Sequence, residues 1–208
     1  MNLIDVVSRP REMLIRSRIK PYKDIEGWLS EREAMTLYRY ASLLPDGSTV
    51  VEIGSWKGKS TFCLARGLRN GKVVAIDPFD ASGDTGSSEA YHKQKGSEPL
   101  LSQFRRKMEE LQVLDKITIR QGFSPQFVGQ CPRIDLLFID GDHSKEACLF
   151  DFENYSPAVR QGGYLAFHDF DAERKDLGPT WVIENRVLPS KQYKFITLVD
   201  SLWVAQKL

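Results

Sequence analysis

From residue 48 onward, short β-branched or apolar runs alternate with helix-compatible stretches, and no other feature restricts the chain as much. The runs fall at residues 49–53, 72–76, 116–119, 134–139 and 163–167, with helical stretches at 59–69, 99–111 and 144–158 between them. Four of the five runs are nearly continuous Val, Ile, Leu and Phe, as in strands buried on both faces of a parallel sheet. Strand–helix alternation of this kind predicts a doubly wound α/β domain. The end of the chain breaks the rhythm. Runs at 193–199 and 202–205 are separated only by Asp200-Ser201, too short for a crossover helix, so they form an antiparallel hairpin.

A length of 208 residues suits one domain, and 41% hydrophobic with 27% charged residues suits a folded globular chain. The net charge of +1 gives no global field for nucleic acid or an acidic polymer, so no nucleic-acid partner is expected. The longest stretch without Asp, Glu, Lys or Arg, residues 121–132, is half polar and far shorter than the roughly 20 apolar residues of a membrane span. The opening Met1-Asn2-Leu3-Ile4-Asp5 lacks the layout of a signal peptide, and Cys63, Cys131 and Cys148 are neither paired nor closely spaced. A reduced, cytoplasmic protein is expected.

Residues 1–30 read as a basic amphipathic extension ahead of a single domain at 31–208. Arg9, Arg11, Arg16, Arg18, Lys20 and Lys23 accompany apolar residues that suit an amphipathic helix on each side of Pro10. Such an arm packs on its own domain or on a second copy in a homodimer, with membrane or partner docking as the alternative. Ser30-Glu31-Arg32-Glu33 then reads as a capping box opening a helix. Residues 80–96, rich in glycine and serine, read as a surface loop.

The chemistry concentrates after the first strand, at Glu52-Ile53-Gly54-Ser55-Trp56-Lys57-Gly58-Lys59-Ser60. A buried strand enters a glycine turn and then a helix, which presents backbone N–H groups to a nucleotide moiety. A phosphate loop needs one residue more than Ser55-Trp56-Lys57 between its first glycine and its Gly-Lys pair, which argues against a nucleoside triphosphate. A dinucleotide fingerprint needs glycine where Trp56 stands, which argues against NAD. Asp77 ends the second strand about 20 residues beyond Gly58, where an acid can accept ribose hydroxyls; its plain alternative is a turn cap before Pro78. The later strand ends carry Gly122-Phe123-Ser124, Asp140-Gly141-Asp142-His143 and His168-Asp169. Carboxyl ends of parallel strands are where open α/β sheets bind ligands.

Taken together, Glu52-x-Gly54-x-x-x-Gly58, Asp77, the strand-end clusters, Gly162-Gly163 before the fifth strand and the terminal hairpin resemble class I S-adenosylmethionine-dependent methyltransferases. Within that class the turn and the Ile-Asp-Gly-Asp-His-Ser segment look most like bacterial small-molecule and sugar O-methyltransferases and cephalosporin-hydroxylase-like proteins. Trp56 departs from the glycine many class I enzymes carry. The resemblance implies a Rossmann-like, doubly wound seven-stranded sheet, mostly parallel with an antiparallel C-terminal hairpin. It implies S-adenosylmethionine held by Glu52, Gly54, Ser55 and Gly58 at the amino-acid end, Asp77 at the ribose, and Phe123 and Ser124 at the adenine, with Asp140 also beside it. It also implies a small-molecule acceptor methylated on a hydroxyl. In metal-dependent members, acids at the ends of the fourth and fifth strands hold the ion; Asp140 and Asp169 match them, and His168 stands where a third oxygen donor is usual. Mg²⁺ or Mn²⁺ is the expected metal, and His168 shifts the balance towards softer ions.

Without a metal, His143 is the candidate general base beside Asp140, since an imidazole can take the acceptor's proton; its alternative is a neighbour of the helix cap. Phe79, Tyr91 and Trp181 are candidates for an aromatic substrate wall or for ordinary packing, His92 reads as a solvated loop residue, and Cys63 as a small buried hydrophobe. Two other functions stay open on the residues alone: a non-catalytic cofactor-binding module, and a hydroxylase-like enzyme with iron held by two histidines and a carboxylate.

Overall fold

The computed structural model describes residues 3–82 and 93–208, with side chains from Pro10 onward. Tyr91 and His92 lie outside the described residues, as does most of the 80–96 loop. Seven strands form one sheet: β1 (Ser48–Ile53), β2 (Gly71–Asp77), β3 (Ile117–Gln121), β4 (Ile134–Ile139), β5 (Val159–Phe167), β6 (Tyr193–Val199) and β7 (Leu202–Lys207), in the order β3-β2-β1-β4-β5-β7-β6. β1 pairs in parallel with β2 and β4, β2 with β3 and β4 with β5, whereas β7 runs antiparallel between β5 and β6. This is the mixed sheet expected from the sequence, and its order reverses between β1 and β4, the switch point at which such sheets bind ligands.

Successive strand residues point to opposite faces, so Val50 and Val51 feed two different cores. On one face α2 (Glu31–Ser42), α3 (Lys59–Gly67) and α4 (Leu100–Glu110) bury Leu37, Phe62 and Phe104 against Val50, Val73 and Phe138. On the other, α5 (Lys145–Tyr155) and α6 (Gly178–Val182) bury Cys148, Phe152 and Val182 against Val51, Leu137 and Phe167. α6 continues through a π-helical stretch, Ile183–Val187, into α7 (Leu188–Ser190). No helix among the described residues is long and apolar enough to cross a membrane.

Two local readings are corrected. A single helix, α1 (Leu3–Ile19), runs through Pro10 where the sequence suggested a helix on each side. β5 starts at Val159, so Gly162-Gly163 lie inside the strand and not before it. Between Ile134↔Val159 and Leu136↔Tyr164 the register slips, and the glycine pair forms the bulge that absorbs the extra residues. Gly162 takes a φ of +72° there, and a Cβ on Gly163 would stand 3.0 Å from the Asp135 carbonyl oxygen.

The end of α1 and the segment after it are part of the domain. Ile19, Tyr22, Ile25 and Leu29 are buried in the same core as Leu37 and Phe62. The capping box at Ser30 forms as read: the Ser30 hydroxyl accepts from the Glu33 N–H, and the Ser30 N–H donates to Glu33 Oε2 at 2.8 Å. Phe104 anchors α4, fully buried with its ring edge on Phe79 at 5.2 Å between centroids. Phe104→Ala is expected to cost about 3–5 kcal/mol in a guanidinium melt through lost burial and the cavity left behind. Phe195→Ala, at the half-exposed edge of β6, is expected to cost less than about 1 kcal/mol.

Candidate active site

At the switch point the ends of β1 and β4 are knitted together by backbone. The Asp140 N–H donates to the Ile53 carbonyl at 2.8 Å, and the Gly54 N–H to the Ile76 carbonyl at 2.9 Å. Gly54 has a φ of +90°, and a Cβ there would lie 2.0 Å from the Asp140 carbonyl oxygen. Only glycine can pass, so the chain crosses from β1 to its turn directly over the end of β4.

Beneath this turn lies Glu52, fully buried. Its Oε2 accepts from the Ser55 hydroxyl at 2.9 Å and from the Thr61 hydroxyl, tying strand, turn and α3 together. Burial, reinforced by the charge of Asp140, outweighs the stabilising Ser60, Thr61 and Ser55 hydroxyls and pushes the carboxyl up to about 7. Asp77 holds the turn from the side. Its Oδ2 accepts the Ser55 and Trp56 N–H groups at 2.9 and 2.8 Å, and its Oδ1 the Phe79 N–H at 2.6 Å. Burial raises its pKa while these donors oppose the rise. Gly58, at a φ of +91°, faces α4: a Cβ would meet Met108 Cε at 2.7 Å and Phe104 Cε2 at 2.9 Å. Glu52 and Gly58 therefore shape the turn from behind, whereas Gly54, Ser55, Trp56 and Asp77 face the cleft.

That cleft, of about 1040 Å³, runs over the carboxyl ends of the parallel strands. Phe123, more than half exposed, and Ser124 line one end with Asp151 and Phe150 of α5. Gly27, Trp28 and Leu29 from the N-terminal segment and Arg174 and Leu177 from the loop before α6 line the rest. Phe79 and Trp181 are packing residues: Phe79 is buried in the core, and Trp181 lies under the Arg186 guanidinium at 5.0 Å.

On the cleft floor the β4 and β5 ends bring two histidines among three carboxylates. His168 Nδ1 lies 3.2 Å from Asp140 Oδ1 and 3.0 Å from Asp169 Oδ2, and its Nε2 lies 3.4 Å from Glu33 Oε2. His143 Nε2 is 3.1 Å from the same Asp169 oxygen. Burial alone would disfavour an imidazolium at His168, but Asp140, Asp169 and Glu33 overcome it and raise its pKa far above the usual range. Glu33 is held at about 2: burial opposes its ionisation, but His168 and the N–H groups of Ser30 and Ser201 prevail. Asp169, bent to a φ of +57°, is held low by His143 and His168 against its burial. Asp140, on the other hand, is raised, its desolvation outweighing His168.

The ligand atoms of Asp140, His143 and Asp169 lie within 4.8 Å of one another, a spacing that fits a divalent cation. Of the expected set, His168 instead turns Nδ1 into the two carboxylates from a buried position, and His143 stands at the third corner. The helix cap at α5 belongs to Ser144, whose hydroxyl accepts the Ala147 N–H, which leaves the His143 ring aimed at Asp169. Sequence reasoning missed Glu33 and Asp151. Glu33 carried a visible role as a capping acid, and nothing local announced its reach to β5. Asp151 had a readable signal, an acid on the inward stripe Cys148, Asp151, Phe152 and Tyr155 of α5.

Residues 51–170 match a family model described as a methyltransferase domain. An uncharacterised protein of Acanthamoeba polyphaga mimivirus is 26% identical over 129 residues, 62% of this chain and 54% of that protein, so the chain spans about half the length of this curated relative. Among solved structures, the O-methyltransferase NovP is similar with a TM-score of 0.62 and 19% identity, over 85% of this chain and 79% of its own. The O-methyltransferase from Bacillus cereus, solved with S-adenosylhomocysteine, gives 0.61 and 18% over 93% and 90%. TomG from Streptomyces achromogenes, solved with S-adenosylmethionine, gives 0.63 and 15% over 94% and 88%. These structures share the fold, and the family model spans more than half of the chain, from the β1 turn to the β5 acids: the chain belongs to the methyltransferase-domain family.

Proposed function

We propose that this protein is a cytoplasmic S-adenosylmethionine-dependent methyltransferase acting on a hydroxyl oxygen of a small molecule, such as a sugar or secondary metabolite. The observation that carries the reading is the joining of a glycine turn lacking room for any side chain at Gly54 to a floor of paired carboxylates and imidazoles. The likeness to the O-methyltransferases NovP, TomG and that of Bacillus cereus supports it, and two of those proteins were solved with the methyl donor or its product. A cleft of about 1040 Å³ has room for a nucleoside and a small acceptor together.

When bound, S-adenosylmethionine supplies a methyl group already activated on a sulfonium, so that the S–C bond breaks as the O–C bond forms. The chain's own residues align and deprotonate. Gly54 and Ser55 hold the amino-acid end, with Glu52 and Gly58 fixing the turn behind them. Asp77 has backbone donors on both oxygens, and the remaining acceptor capacity of Oδ1 is directed to the ribose. Phe123 offers a face to the adenine, and Ser124 borders it. Without a cation, the His143 imidazole takes the acceptor's proton, and Asp169, 3.1 Å from its Nε2, orients the ring. Asp140, His143 and Asp169 would hold a divalent cation, with Mn²⁺ better suited than Mg²⁺ to an imidazole ligand, and that ion would lower the hydroxyl's pKa. Asp140 then serves as ligand and as neighbour of the transferred methyl.

Calorimetric titration of S-adenosylmethionine into the purified protein tests the cofactor. Saturable binding is expected, and Asp77→Ala, which strands three backbone donors, should weaken it at least about tenfold. Absence of binding to the wild type would overturn the reading. For the floor, Mn²⁺ titrated into chelator-treated protein is expected to bind at one site and to be lost in Asp169→Asn; Mn²⁺ affinity unchanged by that substitution would remove the metal assignment. For the turn, the sign of the Glu52 effect follows from its raised pKa. The folded state keeps its proton between about 4.5 and 7 while the unfolded chain has lost it, so stability falls by about 1.4 kcal/mol per pH unit across that window. Glu52→Gln should therefore flatten the decline and be the more stable protein at pH 8 by about 3 kcal/mol in urea melts, with the difference vanishing near pH 4.

A further inference from the structure

Beside the cleft lies a second cavity, of about 960 Å³, that the methyl transfer leaves unused. The two adjoin at Gly27, Trp28 and Lys59, which line both. Five lysines and three acids border the second cavity, and no arginine does among the described residues. Ion pairs decide what charge is left. Lys23 pairs with Glu31 at 3.0 Å, the buried Lys57 with Glu26 at 2.6 Å, and Glu98 with Arg106. Lys59, Lys93 and Lys95 meet no carboxylate among the described residues. Lys59 Nζ donates to the Gly27 carbonyl at 2.9 Å and Lys95 Nζ to the Asp80 carbonyl at 3.2 Å, both neutral acceptors. Against these three ammonium groups stands one unpaired acid of the lining, the exposed Asp24.

Lys59 also occupies a position that local electrostatics disfavours. It opens α3, where the helix presents its positive end, the N-cap Gly58 offers no side chain, and the first turn holds no acid. Burial adds to the cost of its charge and lowers its pKa. A cation placed against a helix N-terminus with no counter-charge breaks a local rule, and such breaks mark functional positions. We propose that the second cavity receives a phosphate group carried by the methyl acceptor, held by Lys59, Lys93 and Lys95, which makes the acceptor a phosphorylated sugar or another phosphate ester. The anion site stands on the charge of its lining, and its assignment to the acceptor rests on the proposed methyl transfer. An excess of two positive charges matches a phosphate dianion better than a single carboxylate. Separate ammonium point charges without a guanidinium fork also suit phosphate oxygens. Lys57 ties the walls together, since its Nζ bridges Glu26 and the Gln94 carbonyl, each at 2.6 Å.

The test is calorimetric titration of inorganic phosphate into the chelator-treated, full-length protein at pH 7.5 and constant ionic strength, with and without saturating S-adenosylhomocysteine. Phosphate is expected to bind at one site, with an affinity that S-adenosylhomocysteine changes by less than about twofold. Lys59→Gln and, separately, the double variant Lys93→Gln/Lys95→Gln should each weaken it at least about fivefold. Lys194→Gln, on the edge strand β6, should leave it unchanged. The double variant lies outside α3 and its turn, so it keeps the test decisive if Lys59→Gln disturbs the fold. Failure of phosphate to bind the wild type, or equal binding by all the variants, overturns the site. Phosphate binding abolished by S-adenosylhomocysteine overturns the assignment to the acceptor. If S-adenosylhomocysteine fails to bind while phosphate behaves as expected, the cofactor reading falls, the acceptor assignment falls with it, and the anion site stands.

Discussion

The whole site hangs on one close approach, the passage of Gly54 over the Asp140 carbonyl. With a Cβ position only 2.0 Å from that oxygen, no other residue can leave β1 at this angle. The same contact joins the two strands between which the sheet order reverses, so the turn and the β4 acid are placed by one piece of backbone. Asp77 completes the fixture from β2, with three backbone N–H groups converging on its carboxylate. The turn is therefore preformed. A ligand entering it does not meet the entropy cost of ordering a loop, which is the usual advantage of building a site on strand ends.

A second fixture carries charge. His168 is surrounded by Asp140, Asp169 and Glu33, and burying such a group is costly unless its partners are well arranged. The arrangement is purchased by contacts far apart in sequence. Glu33 caps α2 through Ser30 and also accepts the N–H and hydroxyl of Ser201, at 2.9 and 2.8 Å, in the turn between β6 and β7. Ser30 and Arg32 in turn reach Asp200 of the same turn at 2.6 Å. The terminal hairpin and the start of α2 thus meet behind the cleft floor, where Glu33 lies against His168. His168 is in this sense a strut, and His143 is the less buried imidazole of the two.

The difference between these histidines marks the limit of what the sequence disclosed. The strands were legible because β1, β2 and β4 must be apolar on both faces. The capping box and the terminal hairpin were legible because their signals are local. Strand-end placement likewise announced Asp77, Asp140 and Asp169. Two adjacent histidine-bearing loops, however, look equivalent in sequence, and only the rotation of each ring shows that His168 lies among three carboxylates and His143 against Asp169. Glu33 was readable as a cap and not as a neighbour of His168, because that contact spans most of the chain. The glycine pair at 162–163 was displaced for a related reason: a bulge inside a strand and a turn before it have the same composition.

The comparisons divide along the same physical line. Identities of 15–19% accompany a shared fold because two-sided burial fixes strand identity only to the level of Val, Ile, Leu or Phe. The family match begins at Val51 and ends at Phe170, just where the turn, Asp77, Asp140, His143, His168 and Asp169 are contained. Outside it lie Trp28, Glu33, Arg174 and Leu177, which supply the outer cleft wall and the prop behind His168. The family match thereby covers the turn and the strand-end acids, while the outer cleft wall is built from segments that lie outside it. Under the proposed methyl transfer, acceptor choice is to be sought in residues 27–29 and 174–177, which line the cleft from outside the sheet's strand ends.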